Sequence, residues 1–149
     1  MKPEELIKIL SQAARLKTTM RHCYTESGRK ESVADHSWRI ALMAMLMTGI
    51  PEFHDLDMNR VIRMCLIHDL GESFTGDIPT FEKTDSDTTT EDELFHKWVD
   101  TFPEPQRTEW ICLLDEMDAL KTKEARLYKA LDKIEAHQHQ LIQIDPLQK

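Results

Sequence analysis

A histidine and an aspartate stand side by side at the end of an apolar run, in the stretch CLIHDLGESFTGDIPT at residues 65–80. The apolar run predicts a buried helix face, and His68 and Asp69 lie on it or at its border. A carboxylate in such a place is costly to bury unless it is paired or binds a metal ion. Glu72 and Asp77 follow closely. Imidazole and carboxylate groups at this spacing can bind a divalent cation and move protons.

His36 and Asp132 have the same character on two other predicted helices. Helical spacing gives them mostly apolar neighbours on their own faces: Ile40, Met43 and Met47 for His36, and Ala125 and Tyr128 for Asp132. A single histidine on an apolar face is more often a hydrogen-bonded core residue, and a single aspartate is often a capping group. Four such residues on three helices suit a shared cation equally well, so the helical period alone leaves both interpretations open.

The elements that must position these side chains are almost all helical, because nearly every periodic segment has the helical spacing. Ser32 with Asp35 predicts a capping box at the start of the helix that carries His36. Asp57 and Gly71 are expected to cap and to end the helix that carries His68. The predicted helices cover about residues 3–16, the segment from Ser32 to Gly49, and residues 58–70, 90–102, 104–119 and 122–142.

Two stretches lack a helical pattern. The segment KTTMRHCYTESGRK at residues 17–30 is expected to be irregular. The polar segment at residues 72–90 is expected to be a loop with at most one short turn, since it contains Gly76 and Pro79. Its low-complexity part, DSDTTT at residues 85–90, is expected to be mobile.

Composition bounds the function. A length of 149 residues favours a single domain over residues 1–149, and 40% hydrophobic residues suffice for one core. The net charge of -8 argues against binding nucleic acid through a broad basic face. The apolar runs are too short to span a membrane, and no signal-peptide core is visible. The widely spaced Cys23, Cys65 and Cys112 favour reduced thiols in a cytoplasmic protein.

Three segments together resemble a known family. ESVADHSWR, LIHDLGESFTGDIPTFEK and ARLYKALDKIEA are similar to the HD-domain phosphohydrolases, and most similar to their 5'-deoxynucleotidase branch, from about residue 5 to residue 137. The order of a His, a His-Asp pair, the Glu and Gly-Asp-Ile-Pro after it, and a distal Asp followed by Lys-Ile-Glu carries the resemblance. It implies an all-α, compact helical bundle of about six helices with a central metal site. The part beyond Asp132 is shorter than the family pattern leads us to expect.

The resemblance also implies roles for individual residues. The metal ligands would be His36, His68, Asp69 and Asp132. Glu72 would handle a proton or position water near the phosphate, and Asp77 would orient the attacking water or bond the substrate. Arg21 and Tyr24 are the nearest counterparts of an arginine and an aromatic residue that contact the nucleotide in the family, where the aromatic residue is usually Trp. Lys83 could pair with phosphate or be a solvated loop lysine.

The expected reaction is metal-dependent release of phosphate from a small-molecule substrate, a (deoxy)ribonucleoside 5'-monophosphate. The donor set favours one ion of Mn²⁺, Co²⁺ or Mg²⁺, with Zn²⁺, Fe²⁺ and Ni²⁺ as further options. HD-domain proteins that hold two ions carry extra histidines between the His-Asp pair and the last Asp. Only His96 lies there in this sequence, so the resemblance implies one ion. The alternatives are hydrolysis of a nucleoside triphosphate or another phosphate ester, and a non-catalytic metal- or nucleotide-binding protein. Family resemblance and exposed Met and Trp faces also lead us to expect a homodimer.

Overall fold

A computed structural model describes residues 1–79 and 81–144, with side chains described up to residue 138. In this part of the chain six helices have ten residues or more: α1 (Pro3–Ala13), α2 (Val33–Met47), α3 (Met58–Ile67), α5 (Asp85–Val99), α6 (Gln106–Ala119) and α7 (Lys123–Ile144). α4 (Glu72–Thr75) is a single turn, and β1 (Met20–Tyr24) and β2 (Lys30–Ser32) form a small hairpin. The predicted helical class is confirmed. The predicted single domain includes residues 80 and 145–149, which lie outside the described residues.

The centre of the core is made by α2, which packs against both α3 and α7. α3 and α7 also contact each other. The largest apolar side chains at this junction, Ile40, Met64 and Leu131, are fully buried. Each contributes about 1.5–3 kcal/mol of hydrophobic stabilisation. This three-helix junction therefore gives a rigid support to polar residues placed at its edge.

Predicted caps fix where two of these helices begin. The Asp35 backbone N–H donates to Ser32 Oγ at 3.1 Å, and the Ser32 backbone N–H donates to Asp35 Oδ2 at 2.8 Å. Asp57 Oδ1 accepts from the Arg60 backbone N–H at 3.0 Å at the start of α3. Both expected caps are confirmed, and the first sets the position of His36 within the opening turns of α2.

The segment expected to be irregular contains the hairpin, so that prediction is wrong. β1 and β2 are antiparallel, with Met20 opposite Ser32 and Tyr24 opposite Lys30. Gly28 adopts a φ of +80° in the connecting turn, a conformation that favours glycine. The less exposed positions of β1 are Arg21 and Cys23 rather than apolar residues, so the sequence has no apolar alternation to reveal the strand.

The stretch DSDTTT is also not a loop, because it forms the first turns of α5. Thr84 Oγ1 accepts from the Asp87 backbone N–H at 3.2 Å, and Asp87 Oδ2 accepts from the Thr84 backbone N–H at 2.9 Å. The hydroxyls of Thr89 and Thr90 donate to carbonyl oxygens one turn earlier, both at 2.9 Å. The polar side chains thus satisfy the helix backbone themselves, and acidic residues suit a helix N-terminus.

The helix that leads to His68 is shorter than expected, because α3 ends at Ile67 and a turn follows. Gly71 does not end it by a left-handed cap, since its φ is -58°. Instead Gly71 permits a close approach: a Cβ at this position would lie 2.7 Å from Glu91 Cγ. Gly71 therefore lets α5 pack against the turn that carries His68 and Asp69.

The structure also bears on membrane crossing and on the state of the cysteines. None of the helices in the described residues combines the length and apolar character that crossing a membrane requires. Cys23, Cys65 and Cys112 are all unpaired, as predicted.

Candidate metal centre

Four side chains from three parts of the fold meet at one point. His36 comes from α2, His68 and Asp69 from the turn after α3, and Asp132 from α7. His36 Nε2 lies 3.0 Å from Asp132 Oδ1 and 3.8 Å from Asp69 Oδ2. His68 Nε2 lies 2.9 Å from Asp69 Oδ2 and 3.6 Å from Asp132 Oδ1. Metal–ligand bonds of about 2.0–2.2 Å place neighbouring donor atoms roughly 3 Å apart, so this spacing fits one ion.

The ring of His68 is oriented by the hydrogen bond of its Nδ1 atom. His68 Nδ1 lies 2.9 Å from the carbonyl oxygen of Cys65, which can only accept, so Nδ1 carries a proton. His68 Nε2 consequently points at the cluster. It is buried and, within the described part of the chain, is not aligned for a hydrogen bond despite the nearby Asp69 carboxylate. An imidazole nitrogen with this orientation fits a metal ligand.

The cluster favours positive charge at its centre. Burial alone would lower the pKa of His68, but the carboxylates of Asp69 and Asp132 raise it to about 10. Burial alone would raise the pKa of Asp132, but the hydrogen bond with His36 and the charge of the nearby His68 ring hold it well below its usual range. Two carboxylates at this depth need compensating charge, and the donor set therefore fits a divalent cation.

Glu72 is brought beside the cluster by α4, of which it is the first residue. Its side chain is buried, and its Oε2 has no hydrogen-bond partner among the described residues. Burial raises the pKa of Glu72 to about 9, and the charges of Asp69 and Asp77 act in the same direction. A buried carboxyl group with one free oxygen next to a metal-type cluster is suited to proton handling.

Asp77 and Arg21 both interact electrostatically with Asp69 of the centre. Burial raises the pKa of Asp77, and the Arg21 guanidinium opposes this shift. Arg21 extends from β1, where its Nε lies 3.1 Å from Glu31 Oε2. Burial would lower the pKa of Arg21, but the Asp69 carboxylate acts against it and the net shift is upward. Arg21 is thus a half-buried cation next to an acidic centre.

Tyr24 is placed differently from Arg21. It is three residues further along β1, at an exposed position, whereas Arg21 takes one of the less exposed positions. Tyr24 is 51% exposed. The structure therefore does not bring Tyr24 into the cluster, although the sequence pairs it with Arg21 as a substrate contact.

A cleft of about 270 Å³ opens beside His68 and Asp69. Lys83 lines one wall, where its Nζ donates to Glu91 Oε2 at 2.8 Å. Lys129 lines another wall, where its Nζ donates to Asp132 Oδ2 at 3.0 Å. The cleft thus offers two ammonium groups next to the centre, and Lys83 is among the residues that the fold brings to it.

Two residues at the centre received no role from the sequence, Lys129 and Glu135, although Glu135 ends the Lys-Ile-Glu of the family pattern. Each lies three positions from Asp132 in YKALDKIEA, so both share its helix face. Lys129 bonds Asp132, and the Glu135 carboxylate bonds His36. The helical spacing could have found them, but a Lys or Glu near a helix Asp is usually a solvated surface residue.

Comparisons with known proteins agree with this geometry. A family model described as HD domain matches residues 13–145. The chain belongs to the HD domain family. A crystal structure from Magnetospirillum magnetotacticum, described as that of a predicted metal-dependent phosphohydrolase, has this HD fold, with a TM-score of 0.78 and 31% sequence identity. The match covers 91% of this chain and 69% of that one.

Curated relatives carry a more specific description. The 5'-deoxynucleotidase HDDC2 of Homo sapiens is 31% identical over 134 residues, which cover 87% of this chain and 64% of that protein. The protein with the same name in Dictyostelium discoideum is 33% identical over 134 residues, which cover 81% of this chain and 68% of that protein. This HD domain thus spans slightly less than two thirds of the length of the human relative.

Proposed function

We propose that this HD domain is a metal-dependent phosphohydrolase that releases phosphate from (deoxy)ribonucleoside 5'-monophosphates. The observation that carries the proposal is the meeting of His36, His68, Asp69 and Asp132 next to the buried Glu72, whose Oε2 has no hydrogen-bond partner among the described residues. The names of the curated relatives support the substrate class.

In this proposal the four converging side chains hold one divalent ion. Two imidazoles and two carboxylates suit Mn²⁺, Co²⁺ or Mg²⁺, with Zn²⁺, Fe²⁺ and Ni²⁺ as further options. When bound, such an ion activates water and neutralises charge on a phosphate group. Four protein donors would leave the other positions of a six-coordinate ion to water and substrate.

Glu72 and Asp77 serve the water and the substrate. Phosphoryl transfer needs alignment of the attacking water and stabilisation of charge more than it needs a protein nucleophile. Glu72 handles a proton or positions water through its unpartnered oxygen, which lies among the acidic groups of the centre. Asp77 orients the attacking water or bonds the substrate.

Arg21 and Lys83 supply the positive charge that a phosphate requires. In the structure Arg21 lies beside Glu31, and Lys83 lies beside Glu91. These ion pairs hold the two cations in place. Charge-assisted hydrogen bonds from such groups are strong. Tyr24 stays a predicted nucleotide contact that requires its exposed side chain to turn toward the substrate.

The remaining proposals concern the protein as a whole. We propose a single domain, a cytoplasmic location with reduced cysteines and a homodimer. Exposed apolar side chains on α2, including Trp38 and Leu46, support the homodimer. The net charge of -8 argues against nucleic acid as a partner, and a small phosphate substrate is compatible with it because a metal ion or a few Arg and Lys residues can neutralise the phosphate locally.

The test is phosphate release from a panel of deoxy- and ribonucleoside 5'-monophosphates, triphosphates and simple phosphate esters, with Mn²⁺, Co²⁺ or Mg²⁺. We expect metal-dependent release from monophosphates, and a fall of about 10²–10⁴ in kcat in Glu72→Gln. Glu116→Gln is the matched control, because Glu116 is also a largely buried carboxylate but pairs with Arg60 and Thr122 away from the centre. Equal loss in both variants, or release that does not need metal, would contradict the proposal.

Other outcomes separate the alternatives. Release from triphosphates but not monophosphates would identify a different hydrolase. Retention of a nucleotide without any release of phosphate would identify a binding protein.

A further inference from the structure

A carboxylate outside the proposed ligand set lies behind the metal centre, on the far side of His36. Glu135 on α7 is fully buried. Its Oε2 lies 2.5 Å from His36 Nδ1, a short contact between two groups that are both 0% exposed. Its Oε1 accepts a longer hydrogen bond, 3.4 Å, from Arg39 Nη1. The shorter contact is therefore the one directed at the candidate ligand.

This contact determines which nitrogen of His36 faces the cluster. Glu135 can only accept when it is ionised, so Nδ1 carries the proton and Nε2 offers its lone pair to the centre. His36 Nε2 indeed lies on the side of Asp132 and Asp69. His68 reaches the same arrangement by a different partner, the carbonyl oxygen of Cys65. Both rings thus present Nε2 to one point, but only His36 is held by a charge.

We propose that Glu135 is a positioning residue that fixes the ring and tautomer of His36 and strengthens it as a metal ligand. A carboxylate that accepts from the second nitrogen of a ligating histidine raises the basicity of the first. This inference rests on the proposed metal function. Its own content is that Glu135 sets the affinity for the ion without touching it.

A purely structural role is the competing explanation. Glu135 and Arg39 join α7 to α2, and such a pair could stabilise the fold without any effect on a metal. The two roles use different oxygens of the same carboxylate, Oε2 toward His36 and Oε1 toward Arg39. Variants of Glu135 and a variant of Arg39 can therefore separate the two roles.

The experiment is titration calorimetry with Mn²⁺ or Co²⁺ on wild type, Glu135→Leu, Glu135→Gln and Arg39→Gln, with urea unfolding of each metal-free protein. We expect Glu135→Leu to bind the ion about 10–100-fold more weakly than wild type. Glu135→Gln keeps an acceptor for Nδ1–H but lacks the charge, so its affinity should lie between the two. Arg39→Gln should lower stability in urea and leave the dissociation constant within a few-fold of wild type.

The outcomes distinguish this inference from the function on which it rests. If wild type binds no Mn²⁺ or Co²⁺, the proposed function and the inference both fail. If wild type binds the ion and both Glu135 variants bind it as tightly as wild type does, only the inference fails. Should Glu135→Leu not fold, the isosteric Glu135→Gln against Arg39→Gln still decides, since wild-type affinity in Glu135→Gln overturns the role.

Discussion

Gly71 should resist even a single added methyl group. The backbone there is right-handed, with a φ of -58°, so alanine is conformationally allowed and should gain about 0.4–1 kcal/mol through the unfolded state. Against this, the new Cβ would lie 2.7 Å from Glu91 Cγ, whereas ordinary contacts begin at 3.4 Å. Glu91 or α5 must therefore move by about 0.7 Å, and overpacking of this kind costs about 1–3 kcal/mol. We expect Gly71→Ala to be less stable by about 1–2 kcal/mol in urea unfolding.

The Glu91→Ala background provides the control for this prediction. Removing Glu91 Cγ removes the closest contact and leaves the Glu91 carbonyl oxygen at 3.2 Å. In that background Gly71→Ala should cost little or should stabilise, so the two changes should couple by about 1–3 kcal/mol. Because Glu91 holds Lys83, Gly71→Ala should also weaken substrate binding. A Gly71→Ala protein as stable as wild type, or a cost that is unchanged without Glu91, would refute this account of Gly71.

Three further predictions use other parts of the structure. Thr84→Ala should lower stability by about 1 kcal/mol in urea unfolding, because it removes the cap of α5, whereas the same change at the exposed Thr108, within α6, should have a smaller effect. Lys129→Met should lower kcat or metal affinity about 10–100-fold, because Asp132 Oδ2 loses its donor, and the exposed Lys133→Met serves as control. Burial raises the pKa of Cys23 to about 11, so the unfolded thiol ionises first, from about 8.5, and stability falls as the pH rises from there to about 11. Cys23→Ser should show a smaller fall over that range; an equal fall in the two proteins would contradict the assignment.

The sequence predicts the helices well where polar caps adjoin strongly periodic segments. Ser32 with Asp35, and Asp57, mark the starts of α2 and α3 because each cap is a local interaction within four residues. The hairpin at residues 20–32 is invisible because Arg21 and Cys23 take the less exposed positions of β1. The start of α5 is missed because its threonines and aspartates satisfy the helix backbone themselves, which composition alone does not reveal.

The sequence predicts the four candidate metal ligands but not the contacts that surround them. His36, His68, Asp69 and Asp132 share apolar helix faces, and the structure brings them together as the shared-cation interpretation requires. The role of Glu135 was missed because its partner, His36, is 99 residues away along the chain. The exposure of Tyr24 could not be predicted either, because it is set by the hairpin and the hairpin itself was not predicted.

The most direct test of the account is the stoichiometry and affinity of divalent metal binding to wild type and to Asp69→Ala, by calorimetry with Mn²⁺ or Co²⁺ on the metal-stripped protein. The account predicts one ion per chain in wild type and a loss of at least 100-fold in affinity in Asp69→Ala, while Glu116→Gln binds like wild type. Binding of an ion with equal affinity in wild type and Asp69→Ala, or no binding in wild type, would contradict the claim that the four side chains form a metal centre.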